Sequence, residues 1–326
     1  SPTLPVLYTG RILVGLGSSL IFLSVIKALD MLFAAEHFPL LMGVSMFIGC
    51  AGGVTGTFPF ERAVHWWGWR PTLLVMGILC TGITLVTTLL FARRPLASTT
   101  REDAPPLKLA HVLRNRDSLP VIFAGPLNFG VYFLVQATIG KKFLLDYCHM
   151  SSATAASFTF YMMLITMFSA VGAGLLTRAI GNRRKPIIVA SMACTLLAVC
   201  ILLIFLLRDI TGAWLLLPYL LLALSLLSSP MYNTVMKELN PPDAVGTAIG
   251  VVNGASYVAV ALLSTLAGFF MDRFSAHAIK TATAIIYPKE AYLATFTVCL
   301  LVAITAFISS LFLRETFGKA VYSAEN

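Results

Sequence analysis

The chain is predicted to be an all-α polytopic membrane protein of about nine transmembrane helices, on three observations. Charged residues make up only 11 % of its 326 residues, against 58 % for the apolar set AVILMFWYC, and mean hydropathy is +0.87. A water-soluble domain needs about 25 % charged residues to cover itself, so lipid is the solvent that fits. The apolar runs continue for about twenty residues, enough to cross roughly 30 Å of hydrocarbon as a helix. Barrel strands would instead alternate over about ten. In lipid a helix satisfies its own backbone polar groups, and this decides the class.

The runs fall at 11–33, 38–59, 71–92, 120–140, 154–177, 187–207, 213–233, 245–270 and 291–313. In the first, Arg11, Lys27 and Asp30 are ionisable. A charge at the bilayer centre costs at least about 2.5–3.5 kcal/mol, which marks a candidate site. The plainer account is that Arg11 opens the helix and Lys27, roughly 24 Å further along, snorkels or is neutralised by Asp30 at i+3. In the second run the pairs Gly49/Gly53 and Gly52/Gly56 are spaced for close helix approach. Residues 93–118 form the longest polar stretch, with Arg93, Arg94, Arg101, Lys108, Arg114 and Arg116. This is a solvated linker with a little helix, or a short amphipathic helix through Leu107, Ala110 and Leu113 on the membrane surface.

In the fourth run Asn128, Tyr132 and Gln136 recur at i, i+4 and i+8, which places them on one helical face drifting about 40° per step. Such a stripe faces either neighbouring helices, through hydrogen bonds worth about 0.6–2 kcal/mol each, or a solute path. The seventh run carries Pro218 and Pro230 among serines, which permits a bend. The eighth carries Gly246, Gly250 and Gly254, a small-residue row suited to packing, with Asn253 its one candidate site residue and Tyr257 nearly in line.

The formal charge of +9 sits in short loops, and no basic domain stands apart from them. A nucleic-acid partner is therefore excluded, and retention of Lys and Arg on one membrane side explains the excess. The densest clusters, 93–118 and 178–185, fall on the same side as the C-terminus, which that rule places in the cytoplasm. Five of the six cysteines lie in apolar runs, and Cys148 stands alone in a loop, so no disulfide framework is indicated. The histidines lie in loops or at helix ends. No His-Glu-x-x-His, Gly-x-Ser-x-Gly or P-loop is present, so the chain is not read as an enzyme and needs no cofactor or metal.

Three segments carry a family resemblance. Gly10-Arg11 through Gly15, Gly17 and Ser18 is similar to a fourth-helix signature, Gly174 through Arg178, Gly181, Arg183, Arg184 and Lys185 to a short basic loop between helices eight and nine, and Asn240 through Asp243, Gly246, Gly250, Asn253 and Gly254 to the entry of helix eleven. Together they resemble the major facilitator superfamily of solute transporters. Gly68-Trp69-Arg70 and the Gly-rich helix before it resemble a bacterial nutrient-uptake branch. The resemblance implies helices four to six in a partial N-terminal bundle (1–92), a cytoplasmic linker (93–118) and a C-terminal six-helix bundle with its tail (119–326). Helices one to three have no counterpart, an expectation of either a fragment or a truncated gene.

The resemblance also implies secondary active transport by alternating access. Uptake of a small organic solute coupled to protons or an ion (symport) is expected, in a monomer in the bacterial inner membrane. Asn128, Tyr132, Gln136, Lys27 and Asn253 are the expected substrate contacts, and Arg11, Gly174, Gly181, Arg183 and Arg184 the coupling or gating residues. Lys27 and Arg11 favour an anionic or zwitterionic solute. The family's loop usually carries an acid where Arg178 stands, and the second run lacks the Gly-Pro pair of drug antiporters, which favours uptake over efflux. A receptor or scaffold on a transporter fold, or an inactive truncated transporter, is the rival reading.

Overall fold

The computed structural model describes residues 4–19, 38–92, 109–241, 244–281 and 284–321, with five isolated helical positions between 20 and 37. Lys27, Asp30 and linker residues 93–108 lie outside the described residues. Two compact units are present, one within Ser1–Gly49 and Met76–Thr100, the other within Cys50–Val75 and Arg101–Asn326. Among the described residues, seven helices are long and apolar enough to cross a membrane. The first expected span is described only in part, and the second is helical over Phe38–Thr55.

The first unit holds α1 (Leu4–Ser19), most of α2 (Phe38–Thr55) and the larger part of α4 (Trp69–Ala92). The α1 helix leaves Ile12, Leu13 and Val14 more than 60 % exposed, and α4 leaves Leu74, Ile78 and Ile83 equally open. In water this would be costly, but lipid tails are as apolar as leucine, so such faces are stable in a bilayer. The hydroxyls of α4 are satisfied within the helix. Thr81, Thr84 and Thr88 each donate to the carbonyl four residues back, at 2.8 Å.

The second unit contains the end of α2, the short α3 (Phe58–Trp67), the start of α4, α5 (Leu109–Arg114) and a six-helix bundle. The first span of that bundle is α6 (Leu119–Phe133), a π-helical turn (Leu134–Ile139) and α7 (Gly140–Asp146). Then follow α8 (Ser152–Ala179), α9 (Lys185–Leu207), α10 (Leu216–Ser225) joined by a 3₁₀ turn to α11 (Ser229–Leu239), α12 (Val245–Arg273) and α13 (Lys289–Leu311). In this bundle α6 packs on α12 and α13, α9 on α10 and α13, and α8 on α10. The spans alternate in direction, so the 178–185 loop, the C-terminal end of α11 and the described residues after Leu311 share one end. A small hairpin, β1 (Ile279–Lys280) paired with β2 (Ile285–Ile286), lies at the other.

Local chemistry explains the boundaries. Ser151 caps α8 by accepting from the Thr154 amide at 3.1 Å, and the helix closes on Gly181 at φ +71°, a left-handed position that glycine adopts without strain. The seventh run is interrupted by the 3₁₀ turn Leu226–Ser228, just before Pro230 restarts the helix. Pro218 sits harmlessly in the first turn of α10. The short linker helix uses a different face from the expected one. Val112 is fully buried in the core, while Ala110 and Leu113 stay exposed.

The glycine row of α12 corrects an expectation. Gly246, Gly250 and Gly254 face open space. Close approach occurs on α6 instead, where a methyl group on Gly130 would meet Ala259 Cβ at 3.1 Å and one on Gly125 would meet the Tyr232 ring at 3.0 Å. The aromatic core lies toward the opposite end, with Phe143 edge-on to Phe296 (5.2 Å, 90°) and Phe158 edge-on to Tyr219 (5.5 Å, 88°). Each such pair adds about 0.5–1.5 kcal/mol beyond area burial.

Candidate functional site

The polar stripe resolves into three different environments. Asn128 is fully buried; its Nδ2 donates to the Ser225 carbonyl at 3.3 Å, and Thr195 Oγ1 donates to its Oδ1. That side chain therefore ties α6 to α9 and α10. The Tyr132 hydroxyl shares a 3.0 Å bond with Thr166 Oγ1 and lies 3.5 Å from Met163 Sδ, both on α8. Gly53 lies beside the same methionine: a methyl group added there would overlap Met163 Cε at 2.1 Å. Gln136 lies inside the π turn. Its side chain is half-buried and makes no hydrogen bond among the described residues.

A second group gathers at the basic-loop end. Arg184 Nη2 forms an ion pair with Glu238 of α11 at 3.2 Å. The backbone amides of Arg184 and Lys185, at the start of α9, donate to the two carboxylate oxygens of Glu315 at 2.7 and 3.1 Å. A carboxylate on a helix N-terminus is favourable because the unpaired amides and the dipole both attract it. Thr316 Oγ1 donates to Glu238, and the Val321 amide donates to the Glu238 carbonyl at 2.8 Å. Arg183 is exposed and stacks over the Phe317 ring at 5.9 Å. Buried Nε of Arg184 has no partner among the described residues. The acids of this group come from α11 and the tail, which the spacing of the loop itself gave no means of finding.

Charges are also paired at the other end. Glu61 of α3 accepts from Lys141 Nζ at 2.7 Å and from Ser152 Oγ at 2.5 Å. Partial burial pulls the Glu61 carboxyl up, but the Lys141 and Ser152 hydrogen bonds outweigh it and hold the group below its usual range. Asp146 pairs with Lys142 at 2.6 Å and accepts from Tyr292 at 2.8 Å and from the Tyr287 amide at 3.0 Å. Exposed Asp209 is held low first by its bond to Lys289 and then by Tyr147. Burial pushes the Cys148 thiol up to about 12.

The remaining expected residues stay apart from these groups. Arg11 is exposed on α1. Asn253 is half-buried on α12 without a hydrogen bond among the described residues, while nearby Tyr257 is exposed and sits edge-on to Phe129 at 5.9 Å. Gly174 is exposed with open space around it. Among the described residues no three His, Cys, Asp or Glu side chains gather as a metal site would require. A search among curated proteins gives no match. The family model described as Major Facilitator Superfamily matches residues 1–264, most of the 326-residue chain; with its apolar membrane-spanning helices, the chain belongs to the major facilitator superfamily.

Proposed function

We propose that this chain moves a small polar organic solute across a bacterial inner membrane by alternating access, as ion- or proton-coupled uptake. The observation that carries the reading is Gln136: a half-buried amide, inside a spanning segment, on a π turn and without a hydrogen-bond partner among the described residues. An unsatisfied polar group in hydrocarbon costs several kcal/mol, so a water-filled path and a solute are its natural complement. Its amide both donates and accepts, which suits a carboxylate, hydroxyl or amide on the solute; Lys27 and Arg11 favour an anionic or zwitterionic one. Tyr132 and Asn253 border the path in this reading, and Asn128 is held in helix–helix bonds in this conformation. In this reading the partial bundle 1–92 and the six-helix bundle 119–326, joined by 93–118, are the two parts that alternating access uses.

Gating is assigned to the group around Gly181, Arg183 and Arg184, with Gly174 leaving room for α8 to move. Arg184 splits its bonds between Glu238 and the tail while its Nε has no partner among the described residues, a state that another conformation would relieve. The test is uptake of labelled carboxylates, amino acids and sugars by cells expressing the full-length protein. Gln136→Ala is expected to raise KM roughly five-fold or more for the transported class, the worth of one lost hydrogen bond to a polar group, at unchanged expression. Equal kinetics for the mutant would remove Gln136 from the path. No uptake of any class by the wild type would favour a receptor role.

A further inference from the structure

We infer that Gly140 and Tyr219 are positioning residues that hold the π turn Leu134–Ile139 and thereby aim Gln136; the inference rests on the proposed role of Gln136. In a regular α-helix Gln136 would follow Asn128 and Tyr132 on one face. A π turn inserts one residue, and at 100° per residue this shifts the phase of all that follows by about 100°. Val135 is fully buried in the core, together with Leu134, while Gln136 is half-buried and makes no hydrogen bond among the described residues.

Two contacts hold the turn. The Gly140 amide donates to the Val135 carbonyl, five residues back. A methyl group on Gly140 would lie 2.1 Å from that same oxygen, a separation no side chain tolerates, so any residue but glycine forces the turn apart. The Gly140 carbonyl in turn accepts from the Tyr219 hydroxyl of α10 at 2.8 Å. Tyr219 is fully buried and braced by Phe158, so its hydroxyl is fixed in place. One glycine permits the π turn, and one tyrosine ties it to a neighbouring helix. π turns cluster at functional sites because they redirect side chains in this way.

The test uses Gln136→Cys in a cysteine-free full-length protein, probed in membranes with 2-aminoethyl methanethiosulfonate. Rapid modification is expected, and adding Tyr219→Phe or Gly140→Ala is expected to slow it about three-fold or more, the effect of one removed hydrogen bond. Tyr219→Phe keeps the ring and the packing, so it decides the matter if Gly140→Ala fails to give monodisperse protein. Unaltered modification rates in a well-folded Tyr219→Phe protein overturn the positioning role and leave Gln136 in the path. A Gln136→Cys thiol that never reacts overturns the proposed path itself, and the aiming of Gln136 with it.

Discussion

Asn128 stands where α6, α9 and α10 meet, and its amide does two jobs at once. Its Nδ2 shares the Ser225 carbonyl with Ser228 Oγ, which donates at 3.0 Å; this carbonyl is at the 3₁₀ break where the helical ladder is interrupted. Its Oδ1 takes the Thr195 hydroxyl. Membrane interiors offer no water to replace these bonds. Asn128→Leu is therefore expected to lower thermal stability in detergent by about 1–2 kcal/mol, within the range for interhelical hydrogen bonds. Thr195→Val should cost less, since it removes one of the two interhelical bonds of Asn128 and leaves the Ser225 bond in place. In a double-mutant cycle the pair should couple by about 0.6 kcal/mol or more. Strict additivity would show that the Asn128–Thr195 bond contributes nothing to stability.

At the scale of elements, α3 and the end of α2 are tied to the six-helix bundle by a small set of contacts. Phe58 meets Phe160 edge-on at 6.1 Å, Gly53 admits Met163, and Glu61 bridges Lys141 and Ser152. The ion pair is partly exposed, so its coupling is expected to stay below about 1 kcal/mol. Because the Glu61 carboxyl is held below its ordinary 4.5, its contribution is present above that value and is lost as pH falls through the lowered one. A Glu61→Gln, Lys141→Gln cycle followed by thermal melts should show coupling at neutral pH that disappears in acid. A coupling that persists undiminished into strong acid, where the carboxyl is protonated in the folded protein too, would contradict the assignment. Elements of this kind also show what was legible from sequence. The apolar runs announced the spans because lipid imposes length and composition on a helix directly. The π turn was not legible, because Leu134–Ile139 reads as an ordinary apolar helix, and only the Gly140–Val135 and Gly140–Tyr219 contacts reveal the extra residue. The glycine row of α12 misled because small residues permit close approach without requiring it. Lys141 and Glu61, 80 positions apart, become neighbours only through the fold.

For the whole molecule, orientation is set by where the cations lie and how they are held. At the hairpin end, Lys141, Lys142 and Lys289 each meet a carboxylate. At the basic-loop end Arg178, Arg183, Lys185, Lys237 and Lys319 have no carboxylate partner among the described residues, although Arg184 and Arg314 do. Insertion reads Lys and Arg near span ends and gives little weight to acids, so density decides: the 178–185 loop and the linker's Arg114 and Arg116 share an end with the tail. That end is expected in the cytoplasm. Cys148 is a poor reporter of this, since a half-buried thiol pushed up to about 12 offers almost no thiolate near neutral pH. Exposed positions serve better, Thr211 between α9 and α10 and Lys319 in the tail. In a cysteine-free background, Thr211→Cys should react with a membrane-impermeant maleimide on intact cells, and Lys319→Cys only after permeabilisation. The reverse pattern would invert the molecule, placing the Arg184–Glu238–Glu315 group on the outer face and the Glu61–Lys141 clasp in the cytoplasm.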